Sequence, residues 1–401
     1  MVCTNFSEFL KPYPETGFIE SVWGRSCLHV PGDPDKFVGI LPWRQLNRIL
    51  VEHRPTKARV GLVRETNLID DKVYIQDLRL RNGILVSQIR PRELNQKLRE
   101  GYTLVINQVE EMFGPITAVA EMLESVFHER VLVNAYAAWG RSRGFAAHRD
   151  DHDVFILQLS GRKFWRIYGP SEHSSEIHGD APPHQISWEG IIEQGDLLYI
   201  PRDWWHEVRP QGEACLHLTC GFQNRNGLDL LAWILEELRT DELHCSVLPR
   251  FASPGEQFAH VTKLRDAVCR KFDEGVLSRF LEDHDAKAVS RPHLSLPWGV
   301  VPGELPQNDD ILVRFVLGRS AKLDAATNGH KCSLVADGRR WEFPLVSVPV
   351  LRTLLAHRTC TICEICAETS AELSRDAVRS TVAELLFQGL VEIGAHREQG
   401  Q

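Results

Sequence analysis

The spacing of the hydrophobic positions changes near residue 130. Before this point Val119, Met122, Leu123 and Phe127 recur at i, i+3, i+4 and i+8, which is the period of a helix with one apolar face. After it come short apolar runs that turn residues separate, at 131–135, 154–159, 164–168, 197–200 and 215–222. Several short strands at this spacing are typical of a sandwich or barrel of the jelly-roll type.

The remainder of the chain has a different texture. Residues 228–286 combine the helical period with many charges, and the part from residue 311 onward starts with two strand-like runs, continues with three helical segments and ends on a short strand. The proline-rich segment 293–310, which includes Pro302, is the predicted linker. We therefore predict an α+β protein with three domains, at residues 1–225, 226–295 and 296–401.

Two helix starts are marked in the last of these regions. Thr361 with Glu364 has the pattern of a capping box, which opens a helix. Ser374 opens another helix, and residues 390–393 are the predicted final strand. The apolar face predicted for this second helix consists of Val378, Val382, Leu385 and Leu386.

The stretch 228–238 is too apolar for a helix that is solvated on all sides. Its large apolar residues are Leu228, Leu231, Trp233, Ile234, Leu235 and Leu238. A surface of this kind has to be covered, and the candidates are the β-sheet of the same chain and a second copy of the chain. Since two-fold homodimers are the commonest closed assembly, we predict a homodimer built on the helices of residues 228–286.

Composition narrows the class of protein without assigning a function. Of the 401 residues, 43% are hydrophobic and 25% are charged, which is the balance of a soluble globular protein. No run approaches ~18 consecutive apolar residues, so we expect no membrane span. The ten cysteines occur without a secretory signal in residues 1–17, which favours reduced thiols in a cytoplasmic protein.

The charge distribution weighs against direct binding of nucleic acid. The net charge is −8, whereas nucleic-acid-binding proteins usually carry a basic surface. From residue 311 onward 11 Lys and Arg stand against 10 Asp and Glu, and the helix that Ser374 opens carries Arg375 and Arg379 but also Asp376 and Glu384. A helix that reads DNA needs charge that neutralises phosphates, so we expect a packing role for this one.

The strongest candidate for chemistry is a set of two histidines and one aspartate. His148 and Asp150 lie two positions apart, just ahead of a strand-like run, so they can point the same way from an extended segment. His206 follows the run 197–200, a proline and two tryptophans. Two His and one carboxylate leave positions open for a chelating cosubstrate and for dioxygen, as in non-haem iron(II) oxygenases.

Other interpretations of these residues stay open at this point. A His-x-Asp pair often occurs by chance. Asp151 and Asp153 are also compatible with a solvated turn, and His152 is a competing imidazole.

A second group of possible metal ligands lies near the end of the chain, at His357, Cys360, Cys363 and Cys366. The spacing suggests another metal or an iron–sulfur cluster. Ligands of clusters normally lie on loops, whereas the capping box places the last two cysteines on a helix. Because cysteine is a frequent core residue, we favour packing.

The run 134–222 resembles the JmjC/cupin-4 family of ribosomal oxygenases, which hydroxylate side chains of ribosomal proteins. Order and spacing match together, and Asp151-His152 departs from the residues common in the family. The matching segments are His148-Arg149-Asp150, DVF at 153–155, QLSGRKFWRI at 158–167, GDLLYIP at 195–201, His206 and LHLT at 216–219. The resemblance implies a double-stranded β-helix (a jelly-roll cupin of JmjC type), followed by a helical dimerisation region and a winged-helix domain.

The resemblance also implies roles for single residues. His148, Asp150 and His206 would hold iron(II). In the family, a basic residue fifteen positions after the first His binds the distal carboxylate of 2-oxoglutarate, and here that residue is Lys163. A lysine at the start of an apolar strand is costly to bury without an anion; the alternative is a solvated lysine at the end of the strand. Arg162 and Arg166 are the next candidates for the same contact.

Two further residues of the run have two interpretations each. Asn134 matches a polar residue of the family's pocket, or it is a strand asparagine bonded to the backbone. Thr219 could add a hydroxyl to the cosubstrate carboxylate, or it is a half-buried structural threonine. We predict both as cofactor-binding residues.

The function implied is that of an iron(II)- and 2-oxoglutarate-dependent dioxygenase that hydroxylates a protein side chain, with Arg or His of a ribosomal protein as the favoured target. The same chemistry on a biosynthetic peptide or a small molecule is an alternative, and a non-catalytic cupin or winged-helix regulator is another. The complete set of candidate ligands counts against the regulator. The sequence separates neither the substrate classes nor hydroxylation from N-demethylation.

Overall fold

The structure is a computed structural model that describes residues 5–53, 56, 58–170, 185–239, 242–301, 303–316, 321–324 and 331–394. The chain divides into two compact units, Met1–Asn224 and Arg225–Gln401. The three-domain division at residues 225 and 295 stays a prediction. Within the described residues, no helix is both long and apolar enough to cross a membrane.

The first unit places most of its helices ahead of its strand-rich part. Its α-helices are α1 (Phe6–Leu10), α2 (Glu15–Gly17), α3 (Trp43–Glu52), α4 (Pro91–Arg99) and α5 (Gly114–Phe127). Its strands are β1 (Leu28–Val30), β2 (Val60–Arg64), β3 (Asn67–Leu68), β4 (Ile75–Arg79), β5 (Leu85–Ile89), β6 (Thr103–Ile106), β7 (Val131–Ala138), β8 (Asp153–Ser160), β9 (Lys163–Pro170), β10 (Trp188–Ile192), β11 (Leu197–Ile200), β12 (Trp204–Pro210) and β13 (Cys215–Phe222). The predicted helix that ends at Phe127 and all five predicted strands are confirmed.

These strands form two main antiparallel sheets. The larger has eight strands in the order β1-β11-β8-β13-β7-β6-β2-β3, and the smaller has three in the order β10-β9-β12. The strands β4 and β5 form a separate hairpin. The predicted cupin-like arrangement of helices and antiparallel sheets is confirmed at this level.

Residues 154–157 of β8 form an apolar run because both faces of this strand are buried. Side chains of a strand alternate between its two faces, and both faces of β8 are buried. Phe155 and Leu157 pack into the core that the large sheet shares with the helices. Val154 and Ile156 face the other way, into a second core with Trp165 of the small sheet. The space next to this second core holds the candidate site.

The second unit begins with helices and continues with short strands and three more helices. The helices are α6 (Gly227–Glu237), α7 (Glu242–Cys245), α8 (Pro254–Cys269), α9 (Val276–Lys287), α10 (Val348–His357), α11 (Ile362–Thr369) and α12 (Arg375–Phe387). The strands are β14 (Leu312–Phe315), β15 (Lys322–Asp324), β16 (Lys331–Ala336), β17 (Arg339–Pro344), β18 (Thr359–Thr361) and β19 (Val391–Gly394).

The helix α6 is covered on one side only. Ile234 and Leu238 are buried against Val276 of α9, so part of the apolar excess is used inside the unit. On the other side Leu228 is 75% exposed and Leu235 is 60% exposed. The chain's own helices therefore cover only part of this surface.

In the second unit, four strands precede α10 among the described residues, where two were predicted from the sequence. The strands β15 and β17 pair with β16, but most of their side chains are exposed or half-exposed and many are charged. Exposed strands carry little of the apolar alternation by which strands are recognised. The capping box of Thr361 with Glu364 is confirmed, and so is Ser374 as the N-cap of α12.

The proline-rich segment 293–310 contains no helix or strand among its described residues, and Pro302 lies outside them. It nevertheless packs within the second unit. His293 contacts Glu392 of β19 at 2.8 Å, and Arg379 of α12 donates to the Pro306 carbonyl at 2.6 Å. The segment is fixed to the final sheet and helix by polar contacts.

Candidate metal centre

The three predicted ligands lie on two segments of the chain, and backbone hydrogen bonds connect these segments. His148 and Asp150 lie between β7 and β8, and His206 lies in β12. The backbone groups of His148 and His206 exchange two hydrogen bonds, with N···O distances of 3.0 and 2.8 Å. The amide of Asp203 donates to the Asp150 carbonyl at 2.8 Å. The two ligand-bearing segments therefore lie in register without a common sheet.

The side chains of these residues converge. Nε2 of His148 lies 3.9 Å from a carboxylate oxygen of Asp150, and Nε2 of His206 lies 3.7 Å from the other oxygen. The three candidate donor atoms all lie within 4.8 Å of one another. Since a divalent first-row metal binds such atoms at about 2.0–2.2 Å, one ion can reach all three after small shifts.

The backbone orients both imidazoles. Nδ1 of His148 donates to the Ala146 carbonyl at 2.9 Å, and Nδ1 of His206 donates to the Trp204 carbonyl at 3.0 Å. A hydrogen bond of this kind fixes the tautomer of a metal-ligating histidine. It leaves the lone pair of each Nε2 directed towards the aspartate, so the donor set fits a metal ion.

The charge state of His206 also suits the binding of a metal ion. Burial, and next the neighbouring His148, hold the pKa of His206 well below its ordinary value. Its imidazole is therefore neutral at physiological pH, which is the form that binds metals.

The competing residues of the same loop have other partners. Nδ1 of His152 lies 2.9 Å from a carboxylate oxygen of Asp151. Its ring lies across β13 at Gly221, where an added Cβ would come within 2.6 Å of the ring. Asp153 is buried and accepts hydrogen bonds from Tyr199 and Asn224. Asp153 thus joins strands of the large sheet and does not mark a solvated turn.

The candidate ligands open into a cavity of about 860 Å³. Its walls include the aromatic residues Tyr136, Phe145, Trp165 and Trp205. The predicted residues Asn134, Lys163 and Thr219 line the same cavity. All six residues that the sequence analysis proposed for the site therefore lie around one space.

Lys163 is buried, with only 2% of its surface exposed. The interpretation of a solvated lysine at the end of a strand is therefore wrong. Its Nζ lies 2.7 Å from Nδ1 of His217, and burial lowers its pKa to about 8. The alternatives are engaged elsewhere, since Arg162 pairs with Glu213 and Arg166 pairs with Glu189, each at 2.8 Å.

Asn134 and Thr219 are partners in the antiparallel pairing of β7 with β13. Oδ1 of Asn134 accepts a hydrogen bond from the Gln108 amide at 3.1 Å, so this residue has a backbone contact as well as a place in the cavity wall. Whether either residue contacts a cofactor stays a prediction.

The sequence analysis assigned no role to Tyr136 or His217. Their rings stack with centroids 4.9 Å apart, and both face the cavity. Burial, and next the charge of Asp150, raise the pKa of Tyr136 to about 12, so the phenol stays protonated. The signal was present, because each lies two positions from a predicted residue on the same strand face.

The residues of the His/Cys motif lie in different environments. Cys360 is buried in the core of the second unit, while Cys363 is exposed on α11. Nε2 of His357 lies 3.0 Å from a carboxylate oxygen of Glu368. Among the described residues, the group with three converging ligand atoms is His148, Asp150 and His206.

Comparison with known proteins places this site in a JmjC domain, whose family model matches residues 109–230. The bifunctional lysine-specific demethylase and histidyl-hydroxylase NO66 of Drosophila persimilis is 24% identical over 352 residues, covering 82% of this chain and 48% of that protein. Ribosomal oxygenase 1 of Rattus norvegicus is 37% identical over 113 residues, covering 26% of this chain and 19% of that protein. The chain thus spans about half the length of these relatives or less.

Solved structures of Escherichia coli YcfD share the fold over nearly the whole chain. One of them is similar with a TM-score of 0.58 at 17% identity, covering 95% of this chain and 98% of that chain. The ribosomal oxygenase YcfD in complex with cobalt and 2-oxoglutarate gives a TM-score of 0.57 at 16% identity with the same coverage. The resemblance to JmjC ribosomal oxygenases inferred from the sequence is confirmed.

Proposed function

We propose that this chain is an iron(II)- and 2-oxoglutarate-dependent oxygenase that hydroxylates a protein side chain. One observation carries the proposal: two histidines and an aspartate with converging donor atoms share a cavity with a buried lysine. The first three fit a metal ion with positions left open. The lysine provides a positive charge for the far end of a dicarboxylate.

The residues of the chain have distinct tasks in this proposal. His148, Asp150 and His206 would hold iron(II), and Lys163 would hold the distal carboxylate of 2-oxoglutarate. Bound iron(II), together with 2-oxoglutarate and dioxygen, supplies the oxidising power to hydroxylate a C–H bond while succinate and carbon dioxide are released. The aromatic walls, among them Trp165 and Trp205, would keep water away from the reacting atoms.

For the substrate we propose a histidine or arginine side chain of a ribosomal protein. The support lies in the relatives, which are called histidyl-hydroxylase and ribosomal oxygenase. Demethylation of a lysine, which the name of the first relative also contains, is the competing outcome of the test below.

The test combines two readouts of one reaction. The purified protein, supplied with iron(II), 2-oxoglutarate and air, is incubated with ribosomal proteins, and succinate and intact protein masses are measured. We expect one ribosomal protein to gain the mass of one oxygen atom in step with succinate. Loss of a methyl group instead would replace hydroxylation by demethylation. Succinate without any change in the ribosomal proteins would favour a peptide or small-molecule substrate.

Variants connect the reaction to the proposed ligands. Asp150→Ala should abolish metal binding and succinate formation together, because two imidazoles alone hold the ion weakly. Asp77→Ala, an exposed aspartate of the hairpin β4–β5, is the matched control and should keep both. Native turnover of 2-oxoglutarate by the Asp150→Ala protein would falsify the assignment.

We further propose a homodimer built on α6 to α9 and a winged-helix domain formed by α10 to α12 with β18, β14 and β19. The exposed apolar residues of α6 support the first. The order helix, strand, helix, helix, strand from α10 to β19 supports the second.

We propose no direct contact of α12 with nucleic acid. Arg375 and Arg379 both donate to Asp309, so one carboxylate offsets one of the two charges and both side chains are engaged within the unit. We also propose a cytoplasmic location, because the nine described cysteines are free thiols, as in reducing compartments.

A further inference from the structure

Lys163 and His217 form a buried pair in the wall of the cavity, and the proposed metal chemistry leaves His217 without a role. Nζ of the lysine lies 2.7 Å from Nδ1 of the histidine, and the exposed fractions are 2% and 3%. Burial lowers the pKa of Lys163, and the neighbouring thiol of Cys215 partly offsets this effect. The cation is thus held in the cavity wall by an uncharged acceptor.

The imidazole accepts this hydrogen bond only in its neutral form, because the ammonium group has three donors and no acceptor. Burial, and next the charge of Lys163, hold the pKa of His217 well below its ordinary value. With Nδ1 free of hydrogen, the ring carries its proton on Nε2. One ammonium hydrogen is engaged, and the remaining two are available to a ligand.

Two aromatic rings hold the imidazole in place. Tyr136 stacks on His217 with centroids 4.9 Å apart and an interplanar angle of 12°. The edge of Trp165 meets the same ring at 5.6 Å and 70°. Since these three residues lie on β7, β13 and β9, the position of Nδ1 is set by the two sheets. The lysine side chain, which has four rotatable bonds, acquires a fixed end point.

A neutral acceptor satisfies a condition that a carboxylate or an apolar side chain does not. A carboxylate at this position would pair with Lys163 and cancel the charge that an incoming anion needs. An apolar residue would leave the ammonium group without a fixed direction. We propose that His217 is a positioning residue for the cosubstrate: its neutral Nδ1 holds the ammonium group of Lys163 where that group binds the distal carboxylate. This inference rests on the proposed function.

The test measures binding without turnover. The protein is loaded with manganese(II) in place of iron, and two ligands are titrated by calorimetry: 2-oxoglutarate, and 2-oxobutanoate, which has the same 2-oxo acid group but no distal carboxylate. His217→Phe keeps a ring against Tyr136 and lacks Nδ1. We expect it to weaken binding of 2-oxoglutarate by about 10-fold, the effect of losing one hydrogen bond to a charged group. Binding of manganese(II) and of 2-oxobutanoate should be unchanged.

Two further variants separate positioning from mere packing. His217→Asn offers an acceptor oxygen near the place of Nδ1 and should recover most of the affinity for 2-oxoglutarate. In a Lys163→Met background, His217→Phe should have no further effect, because the group that it positions is absent. The same loss in that background would show that His217 acts independently of the lysine and would overturn the inference.

The remaining outcomes are equally distinct. If His217→Phe weakens both 2-oxo acids alike, the histidine only maintains the shape of the cavity. If it weakens binding of neither ligand, Lys163 does not need the hydrogen bond to His217 to bind the distal carboxylate. Either result overturns the inference and leaves the proposed function intact. If the native protein with manganese(II) binds no 2-oxoglutarate, the proposed function fails first, before any variant is measured.

Discussion

Lys163 shows how one buried charge restricts what the cavity can accept. An ammonium group that is removed from water is costly unless an anion or strong hydrogen bonds compensate. Its one hydrogen bond in the described structure goes to the uncharged His217. The desolvation cost is therefore only partly offset until a negative ligand arrives, which favours a ligand with a carboxylate far from the metal.

The substitution Lys163→Ala tests this at the scale of a single residue. We expect the affinity for 2-oxoglutarate to fall about 10- to 150-fold, the range for losing a charge-assisted contact of about 1.5–3 kcal/mol. Manganese(II) binding should be unaffected, and calorimetry measures both. Arg162→Ala is the control, since its guanidinium is half exposed and paired with Glu213. An unchanged affinity in the Lys163 variant would move the carboxylate contact to another residue.

The pKa of Lys163 adds a dependence on pH. Burial lowers this pKa to about 8, so the amine is charged below that pH and increasingly neutral above it. A dicarboxylate binds the charged form. Above pH 8 its binding therefore requires the amine of Lys163 to take up a proton from the solvent. We expect a constant dissociation constant for 2-oxoglutarate below pH 7 and a rise that approaches tenfold per pH unit well above pH 8. A flat profile up to pH 9.5, measured by titration with manganese(II) present, would contradict this prediction.

At the scale of elements, a half-buried carboxylate joins the proline-rich segment to the last sheet. Glu392 of β19 accepts from His293 at 2.8 Å and from Arg314 of β14 at 2.5 Å. Burial alone would raise its pKa, but these hydrogen bonds outweigh burial and lower the pKa to about 2. Since the folded state favours the ionised form, the stabilisation is complete above the unfolded pKa of 4.5 and is lost as the pH falls towards 2.

The corresponding prediction compares two variants in urea unfolding. At pH 6, Glu392→Gln should lower the free energy of unfolding of the second unit by about 3 kcal/mol, as the pKa shift implies. The difference from the native protein should shrink towards zero near pH 2. Glu342→Gln, which removes an exposed pair with Lys331, should change stability by less than about 0.5 kcal/mol. An equal effect of both substitutions would contradict the role of Glu392.

The start of α11 allows a smaller test. The hydroxyl of Thr361 accepts from the Glu364 amide at 3.0 Å, and the Glu364 carboxylate accepts from the Thr361 amide at 2.7 Å. Thr361→Ala removes one half of this box and should cost about 1 kcal/mol. Thr361→Ser keeps the hydroxyl and should cost much less. Melting temperatures measure both, and equal temperatures for the two variants would mean that the cap contributes little.

The strand β12 shows where pattern failed at this scale. It carries His206, Glu207 and Arg209 among its seven residues, so no apolar alternation marks it. Glu207 is nonetheless buried and receives Arg166 and Arg209, at 3.2 and 3.1 Å. Ion pairs to the buried Glu207 let a polar sequence form this edge strand, and the partner Arg166 comes from the neighbouring strand β9.

For the whole molecule the open question is what covers α6. Leu228, Leu231 and Leu235 are 75%, 43% and 60% exposed and recur at i, i+3 and i+7, which places them on one face. Ile234 is buried within the unit. Substituting Ile234 would therefore damage the fold, whereas the exposed leucines can be changed safely.

We expect the double substitution Leu231→Ser, Leu235→Ser to shift the protein from dimer to monomer in light scattering at micromolar concentration. The reason is the lost burial of two leucines, each about 1.5–3 kcal/mol when fully covered. Val51→Ser, at an exposed apolar position of α3 in the first unit, should leave the dimer intact. A native protein that is monomeric at this concentration would exclude the proposed dimer.

The sequence by itself determined the strands that are apolar on both faces, the amphipathic helix that ends at Phe127 and the caps at Thr361 and Ser374. These features depend on neighbours within a few positions, and local spacing records them. It also predicted His148, Asp150 and His206 as metal ligands, because their order and spacing match a known family over a long run.

Only the tertiary structure decided what depends on residues that are distant in the chain. It buried Lys163, although a lysine at the start of a strand is equally compatible with solvent. It brought His217 and Tyr136 to that lysine, and it left Leu228 and Leu235 exposed while it covered Ile234. The physical reason is the same in each case: burial and pairing are set by which strands and helices meet, and local spacing carries no record of that.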